Sequence, residues 1–454
     1  MHHFDEETYI LANRIVDYAL DRLRQDPPPL DGTESPESLL PKFKGTITKE
    51  GLGAQKAFDF YENIVSMATI STDHPRYLSF VPNAPTNAAS LFDLVVSASS
   101  VYGGTWLEGA GVVAAENQAL RFISDMIGFN EKSGGVFVSG GTAANLSALI
   151  AARFKFRQDH PEHERSRLAI MCAPSAHSSI RQAMRAMDVD IVEVAGDEDG
   201  RLTGDHLIEA FKELNDEEKS LVFCVVASAG ATNNGYVDEL NTVGKFCNKN
   251  NLWFHVDGAY GGAAILCDKT KPLFKGVELA DTFIVDPHKW LFSPFDCAAL
   301  IYKDPTIARL AHSQHAEYLD VVTETSEWNP SDYAHHLTRR ARGLPLWFSL
   351  VLHGTDAYRD SISHCMEVTY NAVNIINNSE NCETVIDPQL SVILFRRKGW
   401  DKEQYYAWSQ HMLDIEYAFV VPTTYKGETV LRFCIINPNT TADDIQLIID
   451  SLEN

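Results

Sequence analysis

From about residue 76 the chain alternates short, nearly all-apolar runs with longer stretches whose apolar residues recur at helical spacing. The apolar runs fall at 135–138, 168–172, 190–194, 221–227, 252–256, 282–285 and 297–302. Their length suits strands, and their lack of polar alternation predicts strands covered on both faces. Helical periods lie between several of them, at 142–158, 178–187, 204–214 and 238–250. Strands and helices in this alternation predict a mostly parallel central sheet with helices on both sides.

The two ends of the chain read differently. Residues 6–25 place Tyr9, Ile10, Ala12, Ile15, Val16, Ala19, Leu20 and Leu23 at helical spacing, and Pro27-Pro28-Pro29 stops the run. A loop-like stretch follows to about Gly53, and the spacing predicts a second helix over 54–69. An amphipathic helix on an extended arm cannot bury its apolar face alone, so a second subunit is its expected partner. Beyond 345, a long helical segment (345–378) precedes short strands at 391–395 and 429–436 and a terminal helix at 441–452. That helix opens behind Thr440-Thr441, with Asp443 and Asp444 placed to complement its dipole.

Composition narrows the partners. The 454 residues carry 38 Lys+Arg against 62 Asp+Glu, a formal charge of −24. This argues against nucleic acid and against an anionic membrane surface. No apolar run approaches the roughly 18 residues of a membrane span, and the acidic start, Met1-His2-His3-Phe4-Asp5-Glu6-Glu7, is unlike a signal peptide. The eight cysteines form no C-x-x-C pair, which favours reduced core thiols and a cytoplasmic protein without a structural metal.

Two strand ends carry the most informative chemistry. Residues 255–260 read His-Val-Asp-Gly-Ala-Tyr, and residues 284–291 read Ile-Val-Asp-Pro-His-Lys-Trp-Leu. Lys289, behind His288 and ahead of Trp290-Leu291-Phe292, is a candidate Schiff-base nucleophile. Desolvation and nearby charge are expected to lower its pKa. Asp257 ends an apolar run, and an ionised carboxylate there needs a partner. A protonated pyridine nitrogen is such a partner, and Ala259 leaves space for a flat ring. Pyridoxal phosphate chemistry needs a lysine and an aspartate facing one site from different strands.

Three further turns are compatible with that site. Residues 134–145 read strand, glycine-rich turn and helix start, so Ser139, Gly140, Gly141 and Thr142 are candidates to hold an anion. The stretch lacks the lysine of a P-loop and the G-x-G-x-x-G spacing. His177 follows the strand ending near Cys172, at the sheet edge where ligands bind, and could stack on an aromatic ring. Thr232, after the strand at 221–227, could donate a hydrogen bond to a bound group. Taken singly, each also has a structural reading: a tight connection, a loop histidine near a cap, an Asn-Gly turn.

In this order these sites resemble the group II pyridoxal-phosphate-dependent amino-acid decarboxylases of the aromatic L-amino-acid decarboxylase type, over nearly the whole chain. The combination of His255-Val256-Asp257-Gly258-Ala259-Tyr260-Gly261-Gly262 with Asp286-Pro287-His288-Lys289-Trp290 carries the resemblance. It is joined by His74-Pro75-Arg76-Tyr77, by Trp106 with Glu116, and by the arginine-rich residues 338–344. The resemblance implies an α/β fold of the fold-type I, aspartate-aminotransferase-like kind. Its parts would be an N-terminal helical arm for dimerisation (1–75), a large cofactor-binding domain (76–345) and a small α+β domain (346–454). It implies pyridoxal 5'-phosphate held by Ser139, Gly140, Gly141, Thr142, His177, Thr232, Asp257, Ala259, His288 and Lys289. His74, Tyr77, Phe80, Val81, Pro82 and Trp106 would meet an amino-acid substrate, which a homodimer would convert to amine and CO2.

Two departures bear on outcome. The family's catalytic loop, expected between about 319 and 337, shows no tyrosine clearly in register, leaving Tyr333 and Tyr318 as candidate proton donors, with His335 and His336 nearby. Leu107-Glu108-Gly109-Ala110-Gly111 replaces the usual Ser-Pro pattern beside the substrate. An aromatic substrate is expected from the apolar walls. Oxidative deamination to an aldehyde, a non-aromatic substrate, or a non-catalytic binding role are the alternatives.

Overall fold

The computed structural model describes residues 2–314 and 327–453. Seven strands form the central sheet: β1 (Gly134–Val138), β2 (Ala169–Cys172), β3 (Asp190–Glu193), β4 (Val222–Ser228), β5 (Trp253–Asp257), β6 (Thr282–Val285) and β7 (Ala298–Tyr302). Their order is β1-β7-β6-β5-β4-β2-β3. β7 runs antiparallel to both neighbours, and every other neighbouring pair is parallel. All seven runs expected from the sequence are strands, within one residue or so at each end.

Both faces of the sheet are covered, which is why its strands show no polar alternation. The helix α2 (Gly141–Asp159) crosses β4 to β7 on one face. There Ala144, Ala148 and Ala151 pack with Ile284 and Leu300. On the other face Phe283 and Ile301 join a larger core with Ile123, Leu240 and Val243. β1, β2, β4, β5 and β6 share one direction, so their carboxyl ends lie along one edge, where α/β sheets bind ligands. α3 (Ser178–Met187) follows β2 at that edge.

A second sheet, antiparallel throughout, contains β8 (Cys382–Thr384), β9 (Val392–Arg397), β10 (Thr423–Tyr425) and β11 (Glu428–Cys434), in the order β10-β11-β9-β8. The long helix α4 (Leu344–Asn378) ties the two sheets together. Its Tyr358, Ile362, Cys365 and Met366 belong to the large core, while Val368, Ala372 and Ile376 pack with Phe395, Phe433 and Ile445 beside the small sheet. It bends at Gly354, whose φ of 76° is costly for residues with a Cβ. Leu78 joins the small sheet's surroundings, donating to Phe419 O and accepting from Cys434 N.

At the N-terminus, α1 (Glu6–Arg24) buries none of its residues. Tyr9 and Ile10 are more than half exposed, at 54% and 59%. The helix expected over 54–69 ends early, at Phe60, and continues as looser turns through Ala68. There Asn63 and Ser66 donate to the carbonyls of Asp59 and Glu62, four residues back. Such bonds compete with the backbone ladder. All eight cysteines are free and buried. Among the described residues no helix is long and apolar enough to cross a membrane.

Candidate active site

The carboxyl ends of five strands surround a cavity of about 240 Å³. Gly140, Gly141 and Thr142 line it after β1, His177 after β2, Thr232 after β4, Asp257 and Ala259 at the end of β5, and His288 and Lys289 after β6. Nine of the ten residues expected to hold the cofactor therefore meet in one place. Ser139 is the exception: it is exposed and lies outside the lining.

Lys289 and Asp286 form the charged centre. Residues 286–289 make a turn closed by Lys289 N donating to Asp286 O at 2.8 Å. The turn brings Lys289 Nζ to 2.8 Å from Asp286 Oδ2, with Asp286 only 2% exposed. Burial pulls the lysine pKa down, but attraction and hydrogen bonding to Asp286 outweigh it and the net shift is upward. The expected lowering is thus reversed in this structure, because a neighbour within ion-pair distance outweighs desolvation. His288 accepts Cys297 N–H at Nδ1, which leaves Nε2 for the proton, 3.7 Å from Asp286 Oδ2. Its pKa is lowered, chiefly by burial and against the pull of Asp286.

Asp257 is arranged differently. Its Oδ1 accepts Ala259 N–H at 3.1 Å, and its Oδ2 accepts the side-chain amide of Asn145 at 2.9 Å. It is 7% exposed, and among the described residues no cation lies within ion-pair distance of it. A buried carboxylate satisfied only by neutral donors suits an added cation, as a protonated ring nitrogen would be.

The opposite end of the cavity suits an anion. α2 starts behind Gly140 with no side chain capping its first turn, so its free N–H groups and dipole face the cavity. A Cβ on Gly141 would stand 3.0 Å from Asp286 Oδ2 and 3.3 Å from Ala259 Cβ, so glycine here lets the turn approach Asp286 without displacing it. An anion cradle, a cation-seeking carboxylate and a lysine in one cavity fit pyridoxal phosphate group by group.

The residues expected to meet substrate lie elsewhere in the single chain. None of His74, Tyr77, Phe80, Val81, Pro82 and Trp106 lines the cavity. His74 and Tyr77 are buried, whereas Phe80 is 61% and Trp106 36% exposed. Phe80 is connected to the site through Arg432, which donates to Phe80 O at 2.6 Å and to Thr232 O at 2.8 Å.

Tyr333 does not reach the cavity as a proton donor would. It is 4% exposed, stacks on Trp328 with centroids 3.9 Å apart, and burial pushes its hydroxyl up to about 12. Tyr318 lies outside the described residues. His335 and His336 are also absent from the lining.

Asn145, Asp286 and Arg432 carry contacts that sequence reasoning did not assign. Asn145 and Asp286 stood inside the motifs already singled out, but nothing in their spacing says which side chain they reach. Arg432 belongs to β11 in the other sheet, and no local signal connects it to Thr232.

The residues matching the pyridoxal-dependent decarboxylase conserved domain run from 36 to 398. An aromatic-L-amino-acid decarboxylase of Bacillus atrophaeus is 29% identical, the match covering 97% of this chain and 93% of that protein. An L-2,4-diaminobutyrate decarboxylase of Acinetobacter baumannii is 26% identical over 88% of this chain and 83% of its own length. The crystal structure of Oryza sativa TDC with PLP and tryptamine superposes with a TM-score of 0.89 at 22% identity, covering 98% of this chain and 96% of that one. The fold is therefore the fold-type I arrangement expected from the sequence. Matched over most of its length, the chain belongs to the pyridoxal-dependent decarboxylase family, as a pyridoxal 5'-phosphate-dependent amino-acid carboxy-lyase.

Proposed function

We propose that this enzyme decarboxylates an aromatic L-amino acid to the corresponding amine and CO2. The observation that carries the site assignment is the convergence of Lys289, Asp257, His177 and the Gly140–Gly141 turn on one cavity. The aromatic substrate is supported by a full-length likeness to an aromatic-L-amino-acid decarboxylase.

The bound cofactor supplies an electron sink for the pair left behind when CO2 departs. The chain's residues do the rest. Gly140, Gly141 and Thr142 would hold its phosphate on the first turn of α2. Asp257 would keep a proton on its ring nitrogen. His177, Thr232 and His288 would hold the ring, and Ala259 would leave it space. Lys289 would be the residue that attaches it, its proton passing to Asp286, 2.8 Å from Nζ.

We propose a cytoplasmic homodimer in which α1 and the exposed Phe80 and Trp106 meet the partner subunit. The uncovered apolar face of α1 and the eight free, buried cysteines support that reading. A second outcome, oxidative deamination to an aldehyde, is favoured by the position of Tyr333 away from the cavity. Tyr260 does line it, but its hydroxyl is bonded to Ser391 Oγ at 2.6 Å.

A panel of aromatic, cationic and acidic amino acids, scored for CO2, amine, aldehyde and hydrogen peroxide, tests both readings. Amine and CO2 in equal amounts from an aromatic substrate are expected. Aldehyde with peroxide would move the assignment to the second outcome. Turnover confined to diaminobutyrate or an acidic amino acid would overturn the substrate. Lys289→Ala should lower turnover by several orders of magnitude on any substrate.

A further inference from the structure

Asn145 is fully buried, and its side chain is the junction of a hydrogen-bonded chain running from the sheet interior to the cavity. The chain begins at Trp253 Nε1, which donates to Thr282 Oγ1 at 2.9 Å. Thr282 stands beside His255 in the β5–β6 register, and the hydroxyl lies 2.9 Å from His255 Nδ1. His255 Nε2 lies 2.8 Å from Asn145 Oδ1. On its other side Asn145 Nδ2 donates to Asp257 Oδ2 at 2.9 Å and to Ser179 Oγ at 3.0 Å. Ser179 Oγ is 2.8 Å from His177 Nδ1, and Ser179 N–H donates to the same nitrogen at 3.2 Å.

The direction of every link follows from groups that have no choice. A carboxylate only accepts, so the Asn145 amide nitrogen faces Asp257 and its oxygen faces His255. That oxygen needs a donor, so His255 carries its proton on Nε2. Burial holds His255 neutral, with a pKa near 4 despite the pull of Asp257, so Nδ1 is bare and accepts from Thr282. Thr282 has donated its only proton and accepts from the indole N–H. Ser179 Oγ accepts from Asn145, so its own proton goes to His177 Nδ1, beside the backbone N–H that already points there. His177 Nδ1 is therefore an acceptor twice over, and its ring proton sits on Nε2.

We infer that Asn145 is a positioning residue, whose one amide orients both the Asp257 carboxylate and the Ser179 hydroxyl that, beside the Ser179 N–H, holds His177 as its Nε2–H tautomer. It also stands between His255 and Asp257, so the carboxylate next to an imidazole is met by a neutral amide. The charge of Asp257 stays available for one cation arriving in the cavity. The inference deepens the cofactor assignment of Asp257 and His177 and rests on it, whereas the proton position on His177 can be read independently.

Neutron diffraction from deuterium-exchanged crystals of the cofactor-loaded enzyme tests it directly. Deuterium on His177 Nε2 and none on Nδ1 is expected; deuterium on Nδ1 overturns the inference. Asn145→Ala should weaken cofactor binding roughly 10-fold or more, the effect of losing one hydrogen bond to a charged group. A variant that binds the cofactor as tightly as the parent would equally overturn it. Should Asn145→Ala not fold, the parent crystal decides alone. Failure of borohydride to mark Lys289 would instead sink the cofactor assignment, whichever tautomer His177 shows.

Discussion

Lys289 shows what a sequence motif conveys and what it leaves out. Its place after a strand, among Trp290, Leu291 and Phe292, is legible in the sequence, and all three neighbours are buried. Its protonation is not legible, because that depends on a turn which carries Asp286 back onto the amine. Removing the carboxylate should leave burial as the dominant influence and move the lysine pKa down. In the cofactor-free Asp286→Asn protein, acetylation of Lys289 followed by mass spectrometry should therefore reach half its limiting rate at a lower pH than in the parent. His288, Asp257 and Cys434 also face this amine and are unchanged by the substitution. A profile that stays in place would show that Asp286 does not govern the protonation.

At the scale of elements, the strands of the large sheet other than the edge strand β3 were legible because burial on both faces makes them nearly continuous apolar runs. The helices Asn87–Ala98 and Trp106–Met126 were not read. The latter has a kink at Gly109 with non-helical angles, and Gly109-Ala110-Gly111 blurs its period. This helix carries Glu116, whose carboxylate receives Arg339 at 2.6 and 2.8 Å and Gly343 N–H at 2.8 Å. Both side chains are almost wholly buried, at 1% and 2%. Breaking such a pair leaves an uncompensated charge in the core, so Glu116→Ala should cost about 3–5 kcal/mol in urea unfolding. The double variant with Arg339→Ala should cost less than the sum of the single ones. Additive losses would mean that the two groups do not act together. The site itself was legible as strand ends, since nine of ten cofactor candidates converge. Its connecting groups were not: Asn145 and Asp257 are 112 positions apart and meet only through the crossing of α2 over β5.

For the whole molecule, the exposed apolar residues of α1 and the aromatic rings outside the cavity point to assembly. Tyr9→Asp with Val16→Asp, seven residues apart on one face of the helix, places two charges there, where both residues are exposed in the single chain. Sedimentation at micromolar concentration should show a dimer for the parent and a shift toward monomer for the variant, with little change in the monomer's secondary structure. A parent that sediments as a monomer at every concentration would remove the dimer from the account. The most direct test is of the proposed bond between Lys289 and the cofactor. Borohydride reduction of the yellow holoenzyme, followed by peptide mass spectrometry, should bleach the colour and leave the pyridoxyl group on Lys289. Reduction that marks another lysine, or none, would contradict the account.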